Sequence, residues 1–170
     1  MRIVGLVWGW VRGAIVTRTV LLVAIIAAMA QQPGWAAKKS GHASAHANCY
    51  TANAIEADQA IRFMTDVMVA SSACQNTTYA EFRLRNRDAI IAYQKALIAH
   101  FHGNAGFDRW NTSLANEAAQ RQASVPTGQF CQQSTAMFQQ ASSLDPQGFR
   151  AFAASQAAAV RAQYAVCGKK

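Results

Sequence analysis

Four cysteines limit the folds open to this chain more than any other feature. Cys49, Cys74, Cys131 and Cys167 are separated by 25, 57 and 36 residues. These spacings lack the CxxC pairs that are typical of zinc sites, redox-active thiols and covalent haem attachment. The cysteines are therefore predicted to form two disulfides, which requires distant parts of one small domain to meet.

Four cysteines can pair in three ways. A continuous first helix would place Cys49 and Cys74 about 30 Å apart, beyond the ~7 Å between Cα atoms that a disulfide allows. Cys74 and Cys131 both fall on apolar faces of predicted helices, so both can point inward. The sequence therefore favours Cys74–Cys131 together with Cys49–Cys167, and the second bond would tie the two ends of the domain together.

The first 36 residues have the three-part layout of a secretory signal peptide. Three arginines precede an uncharged run of eleven residues at 20–30, and Gly34-Trp35-Ala36 offers small residues before a cleavage site. The run is shorter than the roughly 20 residues that span a hydrocarbon core, so no stable membrane insertion is expected after cleavage. All four cysteines follow the predicted cleavage site. The cleaved protein would therefore fold with its four cysteines in the periplasm or outside the cell, where disulfides persist.

The charge pattern limits the possible partners. Residues 1–36 carry three of the sixteen Lys and Arg and none of the eight Asp and Glu, so the mature chain has a net charge of +5 rather than +8. Arginines cluster at positions 83, 85 and 87, and the interleaved charges of Arg83, Arg87 and Asp88 indicate a solvated face. A nucleic-acid partner normally requires a denser basic stripe and is not expected. Weak attraction to anionic components of the cell envelope is expected instead.

The residues after the predicted leader indicate an all-α fold. Residues 37–48 are small and polar and predict a flexible tether. The chain beyond them is rich in Ala and Gln, and Pro126 and Pro146 are its only prolines. Helical periodicity covers about 53–73, 78–101, 107–123, 129–143 and 146–167. Short connections favour antiparallel neighbours, so residues 49–170 are predicted to form an up-and-down bundle of about five helices stapled by two disulfides.

Few side chains point to chemistry. Asn86 interrupts the apolar stripe of the second predicted helix, so it either specifies register with a partner or lines a small cavity. His100 and His102 lie two residues apart at the end of that helix, where they cannot share one face to bind a metal. A basic side chain there interacts favourably with the helix dipole. The sequence has no GxSxG, HExxH or phosphate-loop motif, so no catalytic, metal or cofactor site is predicted.

Three segments carry a resemblance. MVASSAC, FDRWNTSLAN and QFC follow one another along predicted helices. In this order they resemble small secreted all-helical bacterial proteins of unassigned function, over most of residues 49–145. The resemblance implies a helical fold and an envelope location, and it implies no activity for any residue.

The sequence therefore predicts an exported helical-bundle protein without an evident catalytic site, which acts as a binding or envelope accessory protein. One alternative is a carrier that holds a small apolar or metal-containing ligand between helices. Its pocket would be lined by aromatic side chains: Phe82, Tyr93, Trp110, Phe138 and Phe152.

A second alternative is an enzyme of unfamiliar type that acts on cell-envelope polymer. Glu81, Glu117 or a histidine would then lie within hydrogen-bond reach of a second reactive group.

Overall fold

A computed structural model describes residues 49–168, and the predicted signal peptide (1–36) and tether (37–48) lie outside these residues. The described chain is helical throughout, without an extended strand, which confirms the all-α prediction for this part. None of its helices combines the length and the hydropathy that crossing a membrane would require. The helices are α1 (Ala52–Ala73), α2 (Thr78–Arg85), α3 (Arg87–His100), α4 (Asn104–Ala123), α5 (Thr127–Gln133), α6 (Thr135–Ser143) and α7 (Pro146–Val160), followed by a 3-10 turn (Arg161–Gln163).

The described residues form seven α-helices instead of about five, because two predicted helices are each divided at one residue. Asn86 separates α2 from α3, and Ser134 separates α5 from α6. At both positions the side chain donates a hydrogen bond to the carbonyl four residues earlier, that of Phe82 at 3.1 Å and that of Phe130 at 2.9 Å. Such bonding competes with the backbone ladder and bends helices. Helical spacing of apolar residues continues on both sides of Asn86 and Ser134, so periodicity alone does not reveal the bends.

Helix α1 packs against each of the other six α-helices of the described chain. Around it, Phe82 and Phe149 are fully buried, with their ring centroids 4.9 Å apart and nearly perpendicular. Tyr93 packs edge-on against Phe149 at 5.7 Å. This geometry is favourable for aromatic pairs. Phe82 and Tyr93 are therefore part of a packed core.

Both disulfides join the pairs that the sequence favoured. Cys49–Cys167 has a Cα–Cα distance of 4.8 Å, and Cys74–Cys131 has one of 5.6 Å. Helix α7 ends at Val160 and does not reach Cys167 as predicted. The residues that follow instead pair with the segment before α1, where the Tyr50 N–H donates to the Ala165 carbonyl at 2.8 Å. The first disulfide thus closes the two ends of the described domain against each other.

Candidate functional site

The junction of α2 and α3 is fastened to the end of α6. Asn86 is fully buried, and its Nδ2 donates to the Leu144 carbonyl at 3.1 Å. Arg85 donates through Nε to the same carbonyl and through Nη2 to the Ala141 carbonyl, both at 2.9 Å. Carbonyls at a helix C-terminus lack partners within the helix, and these two side chains supply them. Asn86 therefore holds the register of α2 and α3 against the α6–α7 connection, and its partner is backbone, not another side chain.

One atom of this junction is unsatisfied. The Oδ1 of Asn86 is buried and accepts no hydrogen bond from any described residue. Leaving a buried acceptor without a donor costs about 1–3 kcal/mol. The amide is nevertheless oriented to donate, because both groups that face its nitrogen are carbonyl oxygens.

The fastening of Arg85 separates it from the other two arginines of the cluster. Arg83 of α2 and Arg87, the first residue of α3, both line a groove of about 480 Å³, and Arg85 is not part of its lining. The groove is formed by α1, α2 and α3, and its other lining residues are Met64, Tyr79, Leu84, Ile90, Ile91 and Gln94. We call this surface the arginine groove.

The arginine groove combines unpaired positive charge with apolar surface. Arg83 and Arg87 are exposed, as the sequence predicted, but neither has a hydrogen-bond or ion-pair partner within residues 49–168. Both side chains are positively charged and line the same groove, so they repel each other. Beside them, Leu84 is 79% exposed, while Met64 and Ile90 are almost fully covered at the floor. The groove therefore combines positive charge for an anionic group with apolar surface for a hydrophobic body attached to that group.

A second polar cluster, which sequence reasoning missed, surrounds Asp58 on α1. The Asp58 side chain is 0% exposed, and its Oδ2 accepts from Tyr164 Oη and Arg62 Nε, both at 2.6 Å. Gln59 Nε2 donates to the same oxygen at 3.0 Å. Burial, then the hydrogen bond to Asp58 and its charge, raises the pKa of Tyr164 to about 12. The sequence carried one signal of this cluster: Asp58 falls on the buried face of α1, and Arg62 follows four residues later on the same face.

The Asp58 cluster is internally satisfied, and it links α1 to the C-terminal segment. Arg62 also lies over the ring of Trp110, 5.9 Å from its centroid, which is a favourable cation–π position. The short hydrogen bonds converge on Asp58 Oδ2, and the side chain is 0% exposed, so the carboxylate is closed to a substrate. We assign this cluster to the stability of the fold.

His100 and His102 are not brought together around a ligand. His100 is half-buried at the end of α3, with its ring centroid 3.9 Å from that of Tyr50. Burial, and then the proximity of His102, lowers the pKa of His100, while Asp58 acts in the opposite direction. His102 is exposed in the left-handed region with φ of 58°. Within residues 49–168 no group of three or more His, Cys, Asp or Glu side chains is arranged to hold a metal ion.

The two glutamates considered as catalytic candidates have local partners. Glu81 accepts from Thr77 Oγ1 at 2.6 Å, and Glu117 accepts from Ser113 Oγ at 3.3 Å. Each bond joins residues four apart in sequence. Each contact is a local bond between a carboxylate and a hydroxyl at an exposed position, and neither brings a histidine or a second carboxylate to the glutamate.

The chain matches no protein-family model, no curated protein and no solved structure. Its function is therefore inferred from the chemistry of the arginine groove.

Proposed function

We propose that this protein is an exported, non-catalytic binding protein that takes up anionic ligands in the arginine groove. The observation that carries the proposal is the pair Arg83 and Arg87, which lack partners within the described chain and flank an apolar floor. The proposal of export is supported by the layout of residues 1–36 and by two disulfides, which persist in oxidising compartments. We also propose that successive helices run up and down the bundle, because the connections between them are short.

The size of the groove supports a binding role. Its volume of about 480 Å³ falls within the ~300–1,000 Å³ that is usual for small-molecule sites. The net charge of +5 predicted for the mature chain would draw anionic ligands toward the protein. The two guanidinium groups would then hold the anion, because Arg forms paired hydrogen bonds to carboxylates and phosphates.

The distribution of carboxylates supports a role without catalysis. Asp58 is enclosed by its donors, and Glu81 and Glu117 are bonded to nearby hydroxyls. The groove itself is lined by two arginines but by no carboxylate, histidine or cysteine among the described residues. A site of this composition binds an anion and has no evident general base or nucleophile.

The proposal is tested with anilinonaphthalene sulfonate, an anionic aromatic dye, on the folded, oxidised protein. Arg83→Gln/Arg87→Gln should weaken dye binding about tenfold or more, since each lost charge-assisted bond is worth about 1.5–3 kcal/mol. The matched control is Arg109→Gln/Arg150→Gln, which removes the same charge from exposed positions outside the groove. Equal loss of binding in both double variants would show that only net charge matters and would refute the groove as the site.

A further inference from the structure

We infer that the ligand of the arginine groove is a single-chain anionic amphiphile, a fatty-acid carboxylate, with its head between Arg83 and Arg87. This inference rests on the proposed function and adds the chemical class of the ligand. Its alkyl chain would lie along the apolar floor that Met64, Ile90 and Ile91 form.

The head of such a ligand matches the pair of arginines. Arg83 of α2 and Arg87 at the start of α3 line the same groove, so both guanidinium groups are available to one carboxylate. The carboxylate would relieve the repulsion between two like charges that have no other partner within residues 49–168. Arg85 cannot compete for it, because three carbonyls at the end of α6 already hold its guanidinium.

The apolar part of the ligand matches the course of the groove. The lining residues run from Tyr79 in α2 to Gln94 in α3, with Met64 of α1 beside them. The groove has a volume of about 480 Å³, the size of a small-molecule site, which suits one alkyl chain better than a two-chain lipid. The exposed Leu84 side chain would fold over that chain and lose contact with water.

Other occupants would contact only part of the charged and apolar surface of the groove. A free inorganic anion would engage the arginines and leave the apolar floor and Leu84 in water. A second copy of this chain would bring another pair of unpartnered arginines against the first pair, and like charges across an interface are strongly unfavourable. An amphiphile with one negative end uses both the charge and the apolar surface.

The test is a calorimetric titration of the oxidised protein with octanoate, decanoate and dodecanoate below their micelle concentrations. Burial of each added methylene should tighten binding about three- to fourfold, the factor that corresponds to ~0.8 kcal/mol. Dodecanol and dodecyltrimethylammonium, with the same chain and no negative charge, should bind at least about tenfold more weakly than dodecanoate. Arg83→Gln/Arg87→Gln should remove that preference.

Two variants locate the chain without disturbing the core. Leu84→Ser changes an exposed residue, and Ile91→Gln changes a half-buried one, so both should fold. Each variant should reduce the gain in affinity per added methylene of the fatty acid, and each should leave the affinity for acetate unchanged. Dye binding that depends on the arginines but carboxylate binding that is independent of chain length would overturn the amphiphile and leave the proposed function intact. If Arg83→Gln/Arg87→Gln changed neither dye binding nor the preference for dodecanoate, both the amphiphile and the proposed function would be overturned.

Discussion

Replacement of Tyr164 by Phe tests whether the Asp58 cluster stabilises the fold. The substitution removes one hydroxyl, which donates to the buried Asp58 Oδ2 at 2.6 Å and accepts from Gln59 Nε2 at 2.8 Å. The ring is retained, so its edge contact with Tyr50 at 4.9 Å should persist. The perturbation is therefore confined to the hydrogen bonds.

The expected loss of unfolding free energy is about 2 kcal/mol, since a hydrogen bond to a charged group contributes ~1.5–3 kcal/mol. Asp58 keeps Arg62 and Gln59 as donors, so the carboxylate is not left without partners. The loss should accordingly stay below the ~3–5 kcal/mol that follows complete removal of one member of a buried ion pair.

The assay is urea unfolding at neutral pH, followed by circular dichroism with both disulfides intact. Tyr79→Phe is the matched control, because the Tyr79 hydroxyl has no hydrogen-bond partner among the described residues. It should change the unfolding free energy by no more than about 0.5 kcal/mol. Equal effects of the two substitutions would refute a stabilising role for the Tyr164–Asp58 bond.

Alkaline pH provides an independent measurement of the same bond. The pKa of Tyr164 is raised from 10.0 to about 12, chiefly by burial and then by Asp58. A group whose pKa is higher in the folded state stabilises below its unfolded pKa, and that contribution is lost as the pH rises through the folded value. The stability difference between the native protein and Tyr164→Phe should therefore shrink between pH 10 and about 12. A difference that stayed constant or grew over this interval would contradict the assignment.

Three further perturbations test the rest of the fold. Asn86→Asp should lower the unfolding free energy by about 3 kcal/mol or more, because an acceptor-only carboxylate would replace the Nδ2 that donates to two carbonyls. Urea unfolding measures this loss, and an unchanged unfolding free energy would exclude the role of Asn86 in fastening α2 and α3 to the end of α6. Cys49→Ser/Cys167→Ser should lower the melting temperature, and the chain-entropy estimate for this long loop is about 4–5 kcal/mol, so an unchanged melting temperature would refute that role. Gly106→Ala should destabilise, because a Cβ there would lie 2.3 Å from the Phe101 carbonyl oxygen, whereas Gly128→Ala meets no atom within 4 Å and should stabilise by about 0.5–1 kcal/mol. Calorimetric melting distinguishes these two glycines, and a change of the same sign in both would contradict the packing around α4.

The features that the sequence predicted correctly depend on local pattern. Helical spacing of apolar residues identified where the chain is helical, and Asp145 before Pro146 marks the start of α7, where its Oδ1 accepts from the Gly148 N–H at 2.7 Å. The length of the first helix excluded Cys49–Cys74, and the apolar faces that carry Cys74 and Cys131 favoured the pairing that the structure shows. Asn86 was recognised as unusual because a polar residue broke an apolar stripe.

The features that the sequence did not predict depend on partners distant in the chain. Asp58 is satisfied by Tyr164, 106 residues later, and no spacing rule connects the two. Arg83, Arg87 and Asp88 were predicted to form a solvated face, but only the tertiary structure shows that Arg83 and Arg87 line a groove and that the packing of α6 against α2 fastens Arg85. By itself, the sequence determined the helical class and the disulfide pairing of this protein, because periodicity and helix length are local quantities. The tertiary structure alone decided which charges are satisfied and which remain available to a ligand, because that depends on which carbonyls and carboxylates the fold brings within hydrogen-bond distance.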